Sequence, residues 1–366
     1  MKILQISSAR TYGGGERHFV DLCRELALRG HEVHVVLRPT NEWQAKLGFI
    51  PSERIIHASI RNSFGIFSAQ KIARYVRENG IEIAHAHAGR DYIPASLVCR
   101  MASGVKFVLT RHVLFPMKAF HKLALRNLSK AIAVSSAVAK NLEDIFPASK
   151  IALIPNGLDE PELSGEKRKE LREAFRFFHE IPFDVPLIGT VGELKPLKGQ
   201  RDFVLAAAEI AGSFPEARYV IVGRDNSVGR TFRAELRRLA KVFGIGQRML
   251  FLDWIDDLPS LMSALDVFVS PSHSESFGLA ILEALVCGVP VVSTETEGAK
   301  QLIDPGTTGI LVPIGEPVAL SRAVIESLAD PDGSREVAVA GCRVARKEFS
   351  LKRMVDRTEE VYQSVL

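Results

Sequence analysis

Short apolar runs rich in Val, Ile and Leu alternate along the chain with longer stretches whose apolar residues recur at helical spacing, the pattern of parallel α/β folding. In the first half, strands are predicted at Ile3–Ser7, Glu32–Leu37, Ile83–His87, Phe107–Thr110, Ala131–Val134 and Ile151–Ile154. Helices are predicted near Gly15–Arg29, Ser68–Asn79, Tyr92–Ala102, Met117–Ser129 and Ala137–Ile145. After Pro155-Asn156-Gly157 comes the densely charged stretch Asp159–Arg176 and then Ile181–Pro186, where a second series begins. Its predicted strands are Leu187–Val191, Tyr219–Val222, Met249–Leu252, Val267–Ser270, Val289–Ser293 and Ile310–Val312.

Two similar open sheets in series follow, with a hinge expected near Pro155–Pro182. The expected division is an N-terminal acceptor-side Rossmann-like domain over 1–160 and a nucleotide-sugar-binding one over 161–348. The helix 349–366 is expected to pack back on the first domain. Open parallel sheets bind ligands beyond the carboxyl ends of their strands, so two of them facing each other across a cleft would place the function between the halves.

The composition agrees: 366 residues, 46% hydrophobic, 25% charged, 27 Gly and 18 Pro describe a globular chain and exclude disorder, collagen and coiled coil. No apolar stretch approaches the roughly 20 residues that span a bilayer. Met1–Arg10 lacks the apolar core of a secretory signal, and the four dispersed cysteines carry no C-x-x-C spacing. A cytoplasmic protein with reduced thiols is expected, bound to no nucleic acid. The formal net charge of +4 is uneven: Met1–Phe183 has 27 Lys+Arg against 18 Asp+Glu, and the remainder 20 against 25. Lys118, Lys122, Arg126 and Lys130 recur every four residues beside an apolar stripe of Met117, Phe120, Ala124 and Leu128. This reads as a basic amphipathic helix over 117–130, suited to an anionic membrane surface or to packing on its own sheet. Peripheral attachment to the inner face of the cytoplasmic membrane is the corresponding expectation.

Candidate chemistry sits in loops after strands. Gly13-Gly14-Gly15-Glu16 follows the first strand and leads into a helix; consecutive glycines admit a phosphate close to the backbone, and equally make a structural tight turn. The G-x-G-x-x-G dinucleotide spacing is missing. Later, Ser270–Leu285 runs strand, loop, helix, with the helix expected from about Phe277 and carboxylates at Glu275 and Glu283. Glu283 lies among Leu282, Ala284 and Leu285, where a carboxylate is costly to desolvate unless something binds it. Eight helical residues would separate the two backbones by roughly 12 Å. That exceeds the roughly 5–9.5 Å of a glycosidase carboxyl pair, and suits two contacts along an elongated ligand. His85-Ala86-His87 puts two imidazoles on one strand face with no third metal ligand evident nearby, and Asp330-Pro331-Asp332 reads as a turn rather than a metal motif. Asp253, Asp256 and Asp257 read as loop acids and caps.

Glu275-x7-Glu283, with Phe277-Gly278-Leu279 between and Gly288–Ser293 after it, resembles the nucleotide-sugar site of family 4 (group 1) retaining glycosyltransferases of the GT-B fold. The resemblance covers nearly the whole chain in the family's order: Gly13–Glu16, His112 after a strand, Ile154–Asp159, and Val191-Gly192-x5-Lys198-Gly199. It implies that Glu283 holds the ribose hydroxyls. Glu275 and the N–H groups of Phe277, Gly278 and Leu279 would hold the sugar and distal phosphate. Lys198 would neutralise the pyrophosphate, with Gly14, Gly15 and Glu193 in the donor site, and His112 would lie near the anomeric carbon and the acceptor. The catalytic set is then His112, Glu275 and Lys198.

Glu193 stands where the family usually has arginine, with Lys195 a candidate substitute; Arg224-Asp225 and Gln301 also depart from the pattern. The implied activity is retaining hexosyl transfer, with no metal and no cofactor, from a nucleotide-diphosphate sugar, a UDP-sugar first. From the basic first half of the chain, the acceptor is expected to be an envelope glycan such as lipopolysaccharide or a lipid-linked one. The alternatives are a nucleotide-sugar epimerase or a phosphorylase on a related fold, or an inactive sugar-nucleotide-binding protein.

Overall fold

The computed structural model describes residues 1–59, 66–159, 163–255 and 257–366, so Asp256 and the expected boundary at 160/161 lie outside the described residues. The chain forms two compact units: Met1–Gly157 with Ser350–Leu366, and Leu158–Phe349.

In the first unit seven strands are all parallel: β1 Lys2–Ser7, β2 Glu32–Leu37, β3 Ile55–His57, β4 Ile83–Ala86, β5 Lys106–Arg111, β6 Leu128–Ala133 and β7 Ile151–Leu153. Their order, β3-β2-β1-β4-β5-β6-β7, reverses direction between β1 and β4. The inner strands β1, β2, β4 and β5 are buried along nearly their whole length, as expected of a parallel sheet covered on both faces, while the edge strands β3 and β7 are partly exposed. Helix Gly14–Leu28 and the C-terminal helix Leu351–Val365 share one core, in which Phe19, Leu22 and Cys23 meet Met354, Val355 and Tyr362. Gly157 is required at the unit boundary, because a Cβ there would lie 2.4 Å from the Ser350 carbonyl oxygen.

The second unit has six parallel strands: β8 Leu187–Val191, β9 Arg218–Val222, β10 Met249–Leu252, β11 Val267–Ser270, β12 Val291–Thr294 and β13 Ile310–Val312. Their order is β10-β9-β8-β11-β12-β13, so the reversal falls between β8 and β11. Phe203, Tyr219, Leu236 and Val324 lie in its core, and the cysteines are all free thiols.

Two expectations are corrected. The short strand β3 was not anticipated, because Ile55–His57 is too brief to show alternation. The 117–130 helix is not formed: only Phe120–Ala124 is helical, and Leu128 and Lys130 belong to β6, where Leu128 is buried and Lys130 Nζ donates to the Ser149 carbonyl at 2.7 Å. Pairing of β6 with β5 outweighs the four-residue recurrence of basic side chains, which carries little helix energy by itself. The described stretch 163–182, within the segment where a hinge is expected, belongs to the second unit. Ser164 caps the helix Gly165–Phe178, accepting from Lys167 N at 3.1 Å, and the buried Arg176 ties that helix to the second unit's own loops.

Candidate active site

Each sheet's point of reversal, where ligands of open α/β sheets bind, carries the candidate residues of its unit. In the second unit, β8 runs into a loop ending in the turn Pro196–Lys198, and β11 into the loop that carries Glu275. Gly199, at φ +64°, makes this approach possible: a Cβ there would lie 1.8 Å from the Pro271 carbonyl oxygen. Lys198 Nζ consequently donates to Glu275 Oε1, which also accepts from Ser272 Oγ at 2.9 Å. The neighbouring turns are just as close, since a Cβ on Gly223 would meet the Gly192 carbonyl at 1.8 Å.

The helix after β11 starts at Leu279 rather than Phe277, behind Gly278 at φ +94°. No side chain caps it, so the amide dipoles at its first turn are available to an anion. Phe277 is buried, and Glu283 is buried within the same helix. Because Glu275 lies in an irregular loop, the helical spacing of the two carboxylates does not apply.

Glu193, at the family's usual arginine position, follows β8. Lys195 Nζ donates to its Oε2 at 2.6 Å and Asn226 Nδ2 to its Oε1 at 3.1 Å. Burial alone would raise the Glu193 carboxyl, but these two hydrogen bonds hold it below the usual carboxylate range. Gln301 lies in the helix Glu297–Leu302, where Thr296 Oγ1 accepts from Ala299 N. Asp330 begins the helix Pro331–Glu348, its Oδ1 accepting from Gly333 N at 3.1 Å, so the D-x-D stretch is a cap. Asp257 is also a cap, accepting from Ser260 N.

In the first unit, β1 leads to Gly14 and Gly15 at the start of the helix Gly14–Leu28, and His112 directly follows β5. A Cβ on Gly15 would stand 3.8 Å from the His112 ring, so the glycine turn abuts the imidazole. Two further histidines join it: His87, just after β4, whose Nδ1 lies 3.5 Å from His112 Nε2, and His18, whose ring centroid is 4.8 Å from that of His112. Sequence spacing missed His18 altogether, for a single histidine on an amphipathic helix carries no signal, and only the β1–β4 reversal brings it to the other two.

Behind these rings runs a buried polar chain. Gln5 Nε2 donates to Tyr362 Oη at 3.0 Å, His85 Nδ1 lies 2.6 Å from the same hydroxyl, and His85 Nε2 lies 2.7 Å from Thr110 Oγ1. His87 Nε2 lies 2.8 Å from Gln5 Oε1. Burial drives the His18 imidazole down to about 4, against a smaller upward pull from Asn156, although neither His18 nitrogen makes a hydrogen bond. Burial, reinforced by neighbouring imidazoles, likewise holds His85, His87 and His112 well below the ordinary histidine range. His85 and His87 are thus not an isolated pair: His85 is fully used in the core, while His87 belongs with His18 and His112.

Two open parallel sheets, one with a lysine, a carboxylate and an uncapped helix at its reversal and the other with a glycine turn against a histidine, define a glycosyltransferase of the GT-B class. The profile described as "Glycosyl transferases group 1" matches residues 172–341, and that described as "Glycosyltransferase Family 4" matches 12–161. The chain belongs to this family, the group 1, family 4 glycosyltransferases.

Among relatives, it is 27% identical to the lipopolysaccharide core biosynthesis glycosyltransferase LpsE of Rhizobium meliloti, over 94% of each chain. It is 24% identical to the N-acetyl-alpha-D-glucosaminyl L-malate synthase of Bacillus anthracis, over 97% of this chain and 94% of that one. The crystal structure of Anabaena HepE in complex with UDP-glucose shares the fold, with a TM-score of 0.87 at 23% identity over the whole of both chains. Among the described residues no helix is long and apolar enough to cross a membrane.

Proposed function

We propose that this glycosyltransferase is a retaining, metal-independent hexosyltransferase that moves a sugar from a nucleotide-diphosphate donor, a UDP-sugar first, to an envelope glycan or lipid-linked acceptor. The observation that carries this reading is the meeting of Lys198 and Glu275 beside the uncapped start of the helix Leu279–Val286. Departure of a nucleoside diphosphate requires positive charge and aligned dipoles where oxygen charge develops, and an ammonium with the amides of a helix N-terminus supplies both.

In this reading Glu283 holds the ribose hydroxyls, Glu275 and the amides of Phe277, Gly278 and Leu279 hold the sugar and distal phosphate, and Lys198 neutralises the pyrophosphate. Glu193, kept anionic by Lys195 and Asn226, tunes the donor end. Gly14, Gly15 and His112 serve the anomeric carbon and acceptor. The acceptor attacks from the face the diphosphate leaves, a phosphate oxygen takes its proton, and no enzymic nucleophile is needed.

The donor assignment is supported by the HepE complex with UDP-glucose, and the acceptor class by the lipopolysaccharide core role of LpsE. A thermal-shift screen against UDP, GDP and ADP sugars tests the donor: the UDP-sugar is expected to raise the melting temperature most, and no shift with any sugar nucleotide overturns the reading. Transfer in the presence of EDTA, with the product anomer matching the donor's, tests the chemistry.

Peripheral membrane contact in this reading uses the segment after β5 without a long helix. Phe115, Phe120 and Leu123 are 67%, 47% and 72% exposed, interleaved with exposed Lys118, Lys122 and Arg126. Apolar side chains beside cations suit an anionic lipid surface. Reversible binding to vesicles containing phosphatidylglycerol, weakened by salt, is expected in flotation assays; equal partitioning onto neutral vesicles would reject the electrostatic part.

A further inference from the structure

We propose that His18, His87 and His112 form a binding site for one transition-metal ion of the zinc type, in the first unit at the carboxyl ends of β4 and β5. Each residue offers one ligand atom, and these atoms all lie within 4.8 Å of one another. A tetrahedral ion with metal–nitrogen bonds of about 2.0–2.1 Å needs nitrogens about 3.4 Å apart. The pair formed by His87 Nδ1 and His112 Nε2 stands at 3.5 Å and already meets that separation. The remaining closure falls to His18, whose ring nitrogens are buried and make no hydrogen bond that would resist it.

The surroundings fix the ligating form of His87. Gln5 spends its amide N–H on Tyr362, so its Oε1 can only accept, and His87 Nε2 must carry the hydrogen that it donates there at 2.8 Å. The lone pair of His87 is therefore on Nδ1, pointing toward His112 Nε2. Metal-bound histidines are held in the same way, the second ring nitrogen donating to a neighbouring carbonyl-type oxygen.

His18 supplies a second, independent sign. A buried imidazole with both nitrogens unpartnered costs about 1–3 kcal/mol in lost hydrogen bonding, and an ion would remove that deficit. The donor set selects the metal: three imidazole nitrogens suit Zn2+, Co2+, Ni2+ or Cu2+, whereas Mg2+ and Ca2+ require oxygen ligands. The fourth position is left to water or an anion.

One consequence rests on the proposed function. An ion here takes up the Nε2 of His112, the ring assigned to the acceptor end, so the metal acts as an inhibitor of transfer rather than as a cofactor.

The full chain, freed of metal by a chelator, would be titrated with Co2+. One equivalent with the intense visible bands of a four- or five-coordinate ion is expected, abolished by an equivalent of Zn2+. X-ray absorption at the zinc edge of the wild-type protein, which depends on no variant, should count three imidazoles. His18→Ala should lose the visible bands, and Gln5→Leu should weaken Co2+ binding by about 10–100-fold. Absence of saturable Co2+ binding, a zinc edge with fewer than three imidazoles, or unaltered binding by a folded His18→Ala protein would overturn the site. A bound ion that leaves transfer unchanged would instead overturn the role of His112 in the proposed function, because the spectra do not depend on activity.

Discussion

Replacing Lys198 with alanine is expected to lower kcat/KM by about 10²–10³-fold while barely moving the melting temperature. The side chain retains 24% of its exposure and sits in a loop, so the core does not depend on it. Glu275 keeps the Ser272 hydroxyl as a partner when the lysine is gone. What disappears is the cation opposite the leaving diphosphate, and a preorganised donor of that kind is worth about 2.7–4 kcal/mol in the transition state. Because charge on the leaving oxygens grows as the glycosidic bond breaks, the loss should appear in kcat more than in KM. Lys198→Arg, which keeps the charge but replaces a compact ammonium with a planar fork, should fall between the two. Steady-state kinetics with a UDP-sugar donor decide it, and unchanged turnover in the alanine variant would refute the role given to Lys198.

The sheets were readable in the sequence because parallel strands are buried on both faces and therefore appear as nearly unbroken apolar runs. All six strands expected in the second half are formed, four with the expected bounds: β8, β10, β11 and β13. The failure at 117–130 has a physical origin. At Leu128–Ala133 the polar Ser129 and Lys130 interrupt the run, and a recurrence of cations imitates a helix that long-range pairing with β5 and β7 overrides. The site divides in the same way. Lys198 was singled out through the resemblance and Glu275 as a carboxylate in a loop after a strand, and the structure brings the two side chains together because only glycine at 199 permits the approach of their loops. His18 and the partners Gln5 and Tyr362 of the singled-out His85-Ala86-His87 pair were invisible, since Gln5 and Tyr362 come from opposite ends of the polypeptide and meet only through strand order and the return of the C-terminal helix.

Arg176→Ala is expected to destabilise the second unit by about 3–5 kcal/mol, the range for breaking an ion pair whose cation is buried. Arg176 is fully buried on the helix Gly165–Phe178 and spends its guanidinium inside that unit. Nη2 donates to Asp266 Oδ2 at 2.8 Å and to the Ala264 carbonyl at 3.0 Å, while Nη1 donates to the Pro182 and Val185 carbonyls, each at 2.8 Å. One side chain therefore joins the helix, the loop entering β8 and the end of the helix Leu258–Ala264. Truncation strands several carbonyls and opens a cavity. Asp266 alone is partly compensated, because Arg172 Nη2 and Leu187 N still donate to it at 2.8 and 2.7 Å, which favours the lower end of the range. At about 2–4 °C per kcal/mol for a unit of this size, the transition of the second unit should fall by roughly 6–20 °C. The same change at Arg172, which is 29% exposed and leaves the Arg176 network intact, should cost much less. A melting curve of Arg176→Ala within 2 °C of wild type would show that the guanidinium does not anchor this segment.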